Sequence, residues 1–269
     1  MDTGAVFDRL AGKNGQLLIT LEPRAQYTYI PFRDQSDIPV FDTITPDFNL
    51  VQLFRKNRFI GYDRLGDTNQ LSTGITSRFL DSGDGRELLA VTIGQTRYFD
   101  TGLVTLPDQE PASFDASNYI GELDIRAWKN WTAGMAIQWD SETSKTDRSS
   151  LRLQYSPDEA KAINVAYRYV RDSAEQTDFS FAWPLGKKWS AIGRYNYSLR
   201  DNKALDRFAG LEYETCCWAI RLLGQRTVVR SSGESDSTIS FQFELKGFSN
   251  VGSGSATSLE RDILGNWTQ

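Results

Sequence analysis

The sequence predicts an all-β chain, an antiparallel transmembrane β-barrel segment of about twelve strands, and three features carry that expectation. Apolar and polar side chains alternate one for one through run after run, the runs exceed ordinary strand length, and the connections between them sort into two alternating sets. Phe179, Phe181 and Trp183 interleave with Asp178, Ser180 and Ala182; Ile239, Phe241, Phe243 and Leu245 interleave with Ser240, Gln242, Glu244 and Lys246. Successive side chains of a strand point to opposite faces, so each such run carries one apolar and one polar face.

Taken in order, the alternation places strands at 16–29, 68–80, 87–99, 117–128, 131–141, 148–156, 162–171, 176–184, 188–200, 205–215, 218–230 and 237–247. Trp131, Ala133, Met135, Ile137 and Trp139 mark one of them, and Ile163, Val165, Tyr167 and Tyr169 another; β-branched and aromatic residues suit a pleated, half-buried surface. Soluble strands average about five or six residues, whereas roughly nine to eleven tilted residues cross a bilayer. Most of the runs reach the longer figure. The connections at 81–85, 129–130, 156–161, 185–187 and the Cys216 and Cys217 corner are mostly short, while those at 30–67, 100–116, 142–147, 172–175, 201–204 and 231–236 tend to be longer or more polar. Short turns at one end and long loops at the other are the habit of outer-membrane barrels. An even strand count returns the chain to the short-turn side, the periplasm. Trp128, Trp131, Trp139, Trp183, Trp189 and Trp218 fall near strand ends, where amphipathic rings meet headgroups.

The 269 residues suit one large β domain, residues 1–248, followed by a short periplasmic tail at 249–269. The net charge of −5 is spread over 30 basic and 35 acidic residues without a basic cluster, which argues against nucleic acid as a partner. No stretch approaches the roughly 18 apolar residues of a membrane helix, so only a closed barrel would cross a bilayer. Residues 1–10 have neither a basic start nor an apolar core, and no export signal is expected there. Without histidine the chain builds no Ser-His-Asp or Cys-His system and no histidine metal site. Asp63, Asp67, Asp81, Asp84, Glu87 and Asp100 read as turn and lumen carboxylates rather than a hydrolase pair, and the Gly-rich run 81–85 lacks the lysine of a phosphate loop. The expectation is therefore not an enzyme: no catalytic residue, no metal and no cofactor.

Segment 29–54, with Pro31, Pro39 and Pro46, does not read as a strand and is expected to be a structured loop or lid, with Asp47 capping a short helical turn over 48–56. Adjacent Cα atoms lie about 3.8 Å apart, shorter than the roughly 4.4 to 6.8 Å of a disulfide, so Cys216 and Cys217 are not expected to bond to each other. They either pair with another polypeptide segment or remain thiols, and the residues alone leave both open. Two other classes compete: a general outer-membrane porin or substrate channel, and a soluble β-sandwich that binds carbohydrate through its tryptophans.

Several blocks carry a resemblance. Leu21-Glu22-Pro23-Arg24, Tyr29-Ile30-Pro31-Phe32-Arg33-Asp34-Gln35-Ser36-Asp37-Ile38-Pro39, Gln52-Leu53-Phe54-Arg55, Phe59-Ile60-Gly61-Tyr62-Asp63-Arg64 and Asn69-Gln70 come first. Gly94-Gln95 with Tyr98-Phe99, Gly210-Leu211-Glu212-Tyr213 with Cys216-Cys217-Trp218-Ala219-Ile220-Arg221, and Phe241-Gln242-Phe243-Glu244-Leu245-Lys246-Gly247 follow. In this order they resemble the LptD family of lipopolysaccharide-assembly proteins, also called organic solvent tolerance proteins (OstA), over nearly the whole chain. The resemblance implies the C-terminal half of a larger Gram-negative outer-membrane barrel, without the signal peptide, periplasmic domain and first strands. It implies lipopolysaccharide transport and assembly at the cell surface, in outer-membrane lipid, with LptE as a lipoprotein plug and LptA delivering lipopolysaccharide through the N-terminal domain. It also implies that Cys216 and Cys217 bond to two cysteines of the N-terminal region, and that Ile239, Phe241, Phe243 and Leu245 lie on one edge of a lateral seam. The polar members of the alternation, Arg152, Gln154, Arg168, Arg194, Asn196, Gln242, Glu244 and Lys246, are the candidates to face the lumen, saccharide or LptE.

Overall fold

The computed structural model describes residues 1–107, 109, 111, 115–228, 235–245, 249–251 and 263, and the chain forms two compact units. In the first, Met1–Ile125 with Ala136–Arg148, β1 (Asp2–Gly4) and β2 (Phe7–Ala11) lie one after the other along β3 (Leu17–Ile30). β4 (Thr68–Asp81), β5 (Glu87–Tyr98) and β6 (Tyr119–Ile125) then follow, each antiparallel to the strand before it. β7 (Trp131–Asp140) and β8 (Lys145–Asp158) are divided along their lengths between the units. The second unit continues through β9 (Lys161–Val170), β10 (Ala174–Pro184), β11 (Trp189–Ser198), β12 (Lys203–Glu214), β13 (Trp218–Val228) and β14 (Ser235–Leu245) to β15 (Ser249–Val251). Its pairings are antiparallel throughout.

The all-β antiparallel expectation holds, and the twelve expected strands correspond to β3 through β14. Three more were not expected. β1 and β2 are a single edge course broken at Ala5 and Val6, where the strict alternation fails; Arg24 holds β1 through an ion pair to Asp2 at 2.7 Å. β15 adds to β14 only over Phe243 to Leu245, and of the remaining tail only Ile263 is described. The turn that the sequence suggests at Leu259 to Leu264 otherwise lies outside the described residues, as do Lys246 and Gly247. The contrast of loop lengths is narrower than the sequence suggested. It rests on 31–67 and 99–118 in the first unit, whereas in the second the turns at 171–173 and 199–202 are as tight as those at 185–188 and 215–217. Asp172 and Asn202 close those two turns with φ of 55° and 51°, a left-handed backbone that Asp and Asn tolerate better than most residues.

Register across the strands shows what each face carries. In the first unit Ser72 pairs with Thr96 and Thr76 with Thr92, their hydroxyls 2.8 and 3.0 Å apart, and Ser72 and Thr96 are 0% and 1% exposed. One residue along, on the opposite face, Ile75 and Ile93 are 53% and 57% exposed. The second unit repeats the inversion: Asn164 and Ser180, joined at 3.2 Å, are 0% and 2% exposed, while Phe179 and Phe241 stand 45% and 61% open. A soluble sandwich would enclose those phenylalanines. A small apolar cluster does sit on the polar face of this unit, formed by Ala162, Ala182, Phe208, Leu223 and Ile263, and Asn164 donates to the Ile263 carbonyl at 2.9 Å. Nitroxide labels placed one at a time at Leu151, Arg152, Leu153 and Gln154, with both cysteines replaced by serine, should alternate in membranes. Oxygen should quench at 151 and 153, and an aqueous nickel chelate at 152 and 154; a flat profile would refute the two-faced strand.

Candidate functional site

The polar face of the first unit is covered by the chain between β3 and β4. Its seat is a row across four strands, Arg24, Gly74, Gly94 and Ile120, all on one face by register. Helix α1 (Leu50–Leu53) drops Leu53, fully buried, onto Gly94, where a Cβ would overlap its Cδ2. A Cβ on Gly74 would come within 3.0 Å of the Phe54 ring, and the Arg24 guanidinium stacks on that ring at 4.2 Å from its centre. Two glycines paired across neighbouring strands therefore make the hollow that the lid fills. The helix cap is not Asp47: Asn49 Oδ1 accepts from the Gln52 amide at 3.0 Å, and Asp47 pairs with Arg148 instead. Asparagine sits three residues before that amide, the separation at which a capping side chain reaches the first turn.

Apart from the bridge in which Ile44 and Ile60 exchange backbone bonds at 2.9 and 3.0 Å, this proline-rich segment has no ladder among the described residues, and side chains satisfy backbone groups in its place. Asp63 Oδ2 accepts from the amides of Phe41 and Asp42, both at 2.7 Å, and these bonds hold its carboxyl below the ordinary 3.8. Asp42 accepts from the Tyr62 amide at 3.0 Å. Gly61 between them adopts φ 111° against the Asp42 carbonyl, a position closed to other residues. Gln35 pairs its amide side chain with both backbone groups of Leu65, at 2.8 and 3.0 Å, in the manner of a strand partner. Asn57 accepts from the Gly66 amide at 2.9 Å and donates to the Arg64 carbonyl at 3.0 Å, while buried Arg64 donates to the Ile38 carbonyl at 2.6 Å. Arg58 fixes the lid to the next loop by donating to the Val104 carbonyl and facing Asp67 at 3.8 Å. Asp67 in turn accepts from the amides of Leu103 and Val104, each at 2.9 Å. Burial pulls the Arg58 guanidinium below its usual value, with Asp67 opposing. Between lid, second loop and strand ends lies a cleft of about 450 Å³, with Arg55, Arg58, Gln70, Tyr98, Gln138 and Asp147 in its wall.

In the second unit the expected lumen residues are spread along the polar face rather than gathered. Arg194 pairs with Asp178 at 2.7 Å. Glu244 pairs at 2.7 Å with Arg221, which also binds Glu212, so one guanidinium ties β12, β13 and β14 together. Gln242 is buried in register with Arg221, Arg168 lies across from Gln176, and Arg152 is on β8. Sequence reading missed Arg221, Glu212 and Asp178, which become partners only through cross-strand register. Ile239, Phe241, Phe243 and Leu245 line the apolar face of β14 against Gly224, Leu222, Ile220 and Trp218. Cys216 and Cys217 occupy the turn between β12 and β13, both exposed free thiols with sulfurs 2.7 Å apart. Thr215 closes that turn, donating to the Trp218 carbonyl at 2.9 Å and accepting from its amide at 3.2 Å. The side-chain contact with Cys216 raises the Cys217 thiol. Among the described residues no three His, Cys, Asp or Glu side chains are placed to hold a metal ion.

Two outcomes follow from the lid. Gly94→Val should expel Leu53, at a cost of about 1–3 kcal/mol, and be seen as faster limited proteolysis within 31–67 while the strands remain; unchanged cleavage would show that the seat does not hold the lid. Asp63, with its folded value lowered, contributes fully above about 3.8 and loses that contribution as pH falls through the folded value. Protease resistance of the lid should hold at neutral pH and decline in acid, and Asp63→Asn should weaken it at neutral pH and flatten the profile.

The family profile described as LptD, LPS transport system D, matches residues 1–189, through both long loops and into the second unit. A relative named LPS-assembly protein LptD from Thiobacillus denitrificans is 40% identical over 266 residues, covering 98% of this chain and 36% of the relative. One of the same name from Nitrosococcus oceani is 40% identical over 266 residues with the same two shares, and one from Xanthomonas campestris pv. campestris is 42% identical over 281 residues, covering 98% and 35%. The chain thus spans about a third of the length of the curated relatives it matches. A profile across most of the strands, joined to such identity along almost every residue, means that this chain belongs to the LptD family.

Proposed function

We propose that this chain forms part of the wall of a Gram-negative outer-membrane barrel that carries lipopolysaccharide to the cell surface and assembles it there. The inverted burial carries the reading: Ser72, Thr96, Asn164 and Ser180 are enclosed while Ile75, Ile93, Phe179 and Phe241 are open. Exposed apolar area costs roughly 25 cal/mol per Å² in water, and a lipid surround removes that cost. The cargo comes from the relatives' name, LPS-assembly protein. Their sugars would pass along the polar face, and the acyl chains would leave sideways through a seam at β14. Supporting that seam, β14 has a partner on its outer side only over Phe243 to Leu245 among the described residues.

Within this proposal the turn bearing Cys216 and Cys217, and the tail beyond 248, lie on the periplasmic side, where disulfides form. The two thiols bond to the N-terminal region that takes lipopolysaccharide from LptA. LptE packs against the polar face that carries Arg152, Arg168, Arg194, Gln242 and Glu244. The role is transport without catalysis. A photoreactive residue at Ile239 should crosslink lipopolysaccharide in growing cells, and one at Phe179, far from the seam strand in register, should do so much less. Equal labelling at both, or none at Ile239, would sink the lateral route and leave the porin alternative standing.

A further inference from the structure

On the apolar face of the second unit two arginines stand directly opposite each other. Arg207 of β12 and Arg226 of β13 are cross-strand partners in register, with Tyr195 beyond one and Ser237 beyond the other. Like charges opposite each other destabilise a sheet, and a guanidinium on a lipid-facing wall adds a desolvation cost that grows with depth. Neither is relieved within the described residues: Arg207 has no hydrogen bond or ion pair there, and Arg226 donates to the Ser235 hydroxyl at 2.7 Å.

What lies next along the strands is apolar and, at first, empty. One step toward the cysteine turn, Ala209 is in register with Gly224, where an added Cβ would meet nothing within 4 Å. The following row is Leu211, Leu222 and Phe241, all exposed, with exposed Ile239 beside Gly224. The surface therefore offers a paired cationic head above a shallow furrow and an oily track. Two forked guanidinium groups match the oxygens of a phosphate bidentately, and an acyl chain fits the furrow below.

We propose that Arg207 and Arg226 form a binding site on the outer wall for the phosphate headgroup of a membrane lipid, with the lipid's chains lying over Gly224 and Leu222. The site rests on the outer-membrane reading above, and it sits beside the strand assigned to the seam. An amphiphile leaving sideways would meet its first cations here.

The full chain reconstituted in phosphatidylcholine vesicles provides the test, with brominated-chain phosphatidic acid or brominated phosphatidylcholine quenching its tryptophans. Phosphatidic acid should bind about tenfold more tightly than phosphatidylcholine, as expected of charge-assisted bidentate contacts. Arg207→Gln with Arg226→Gln should abolish the preference without changing quenching by phosphatidylcholine, and Arg207→Lys with Arg226→Lys should keep part of it. Millimolar inorganic phosphate should not compete; competition would assign the site to free phosphate and overturn the lipid. Quenching by phosphatidylcholine with no preference for phosphatidic acid, or a preference that survives the double glutamine variant, overturns the site and leaves the membrane reading intact. No quenching by either lipid overturns both.

Discussion

Polar side chains on the enclosed face of a long antiparallel sheet must satisfy one another across the strands, and this constraint governs the remainder of the structure. Each ladder already uses the backbone donors and acceptors, so the side chains of the polar face turn to their cross-strand neighbours or to chain laid over the face, as Asn164 does to the Ile263 carbonyl and Gln138 to that of Phe48. Ser72 finds Thr96, Thr76 finds Thr92, and Asn164 finds Ser180. Where a charge appears the same rule holds, with Arg194 on Asp178 and Arg221 between Glu212 and Glu244. With the enclosed face closed by polar pairs, the apolar residues are left for the other side, and only an apolar surround makes that arrangement favourable.

The lid depends on that face being interrupted at one place. Gly74 and Gly94 remove two side chains from the middle of the polar row, and Leu53 and Phe54 take the space with Arg24 over the ring. Away from this apolar footing the lid is held by side-chain bonds to backbone groups of the same segment, Gln35 and Arg64 donating to carbonyls and Asn57 and Asp63 accepting from amides. A loop built this way keeps its form without a ladder. Arg58 and Asp67 connect it to the second long loop.

The strands were legible because their signal is local: parity along ten or so residues decides both that a strand exists and which face each side chain takes. That is why β3 through β14 fall within a few residues of their expected places, and why Arg152, Arg168 and Gln242 could be put on the polar side from the sequence. Register is not local. No spacing within β13 indicates that Arg221 will reach Glu212 and Glu244, and none within β5 that Gly94 will lie under Leu53. The N-terminal course failed for the opposite reason. Asp2–Gly4 and Phe7–Ala11 are too short and too irregular to show parity, and they become strands only because β3 offers an edge. Asn49 displaced Asp47 as the cap because Asp47 has an arginine to meet, a preference that capping patterns do not include.

The same register decides where the pair of β13 and β14 is held most firmly. Near the cysteine turn the strand is held on both sides: Glu244 is bound by Arg221, which is itself bound to Glu212, and β15 pairs over Phe243 to Leu245. Toward Ser235 the described residues of β14 have one neighbour, β13, and the face they present runs through Ser237 to Ile239 and Phe241. Separating β14 from β13 near the cysteine turn would strip Arg221 of an ion pair on a face where it has little water to replace it, whereas toward Ser235 the same separation costs the ladder and the Arg226 bond to the Ser235 hydroxyl. The pair of β13 and β14 is therefore held most firmly at the end that bears the cysteine turn.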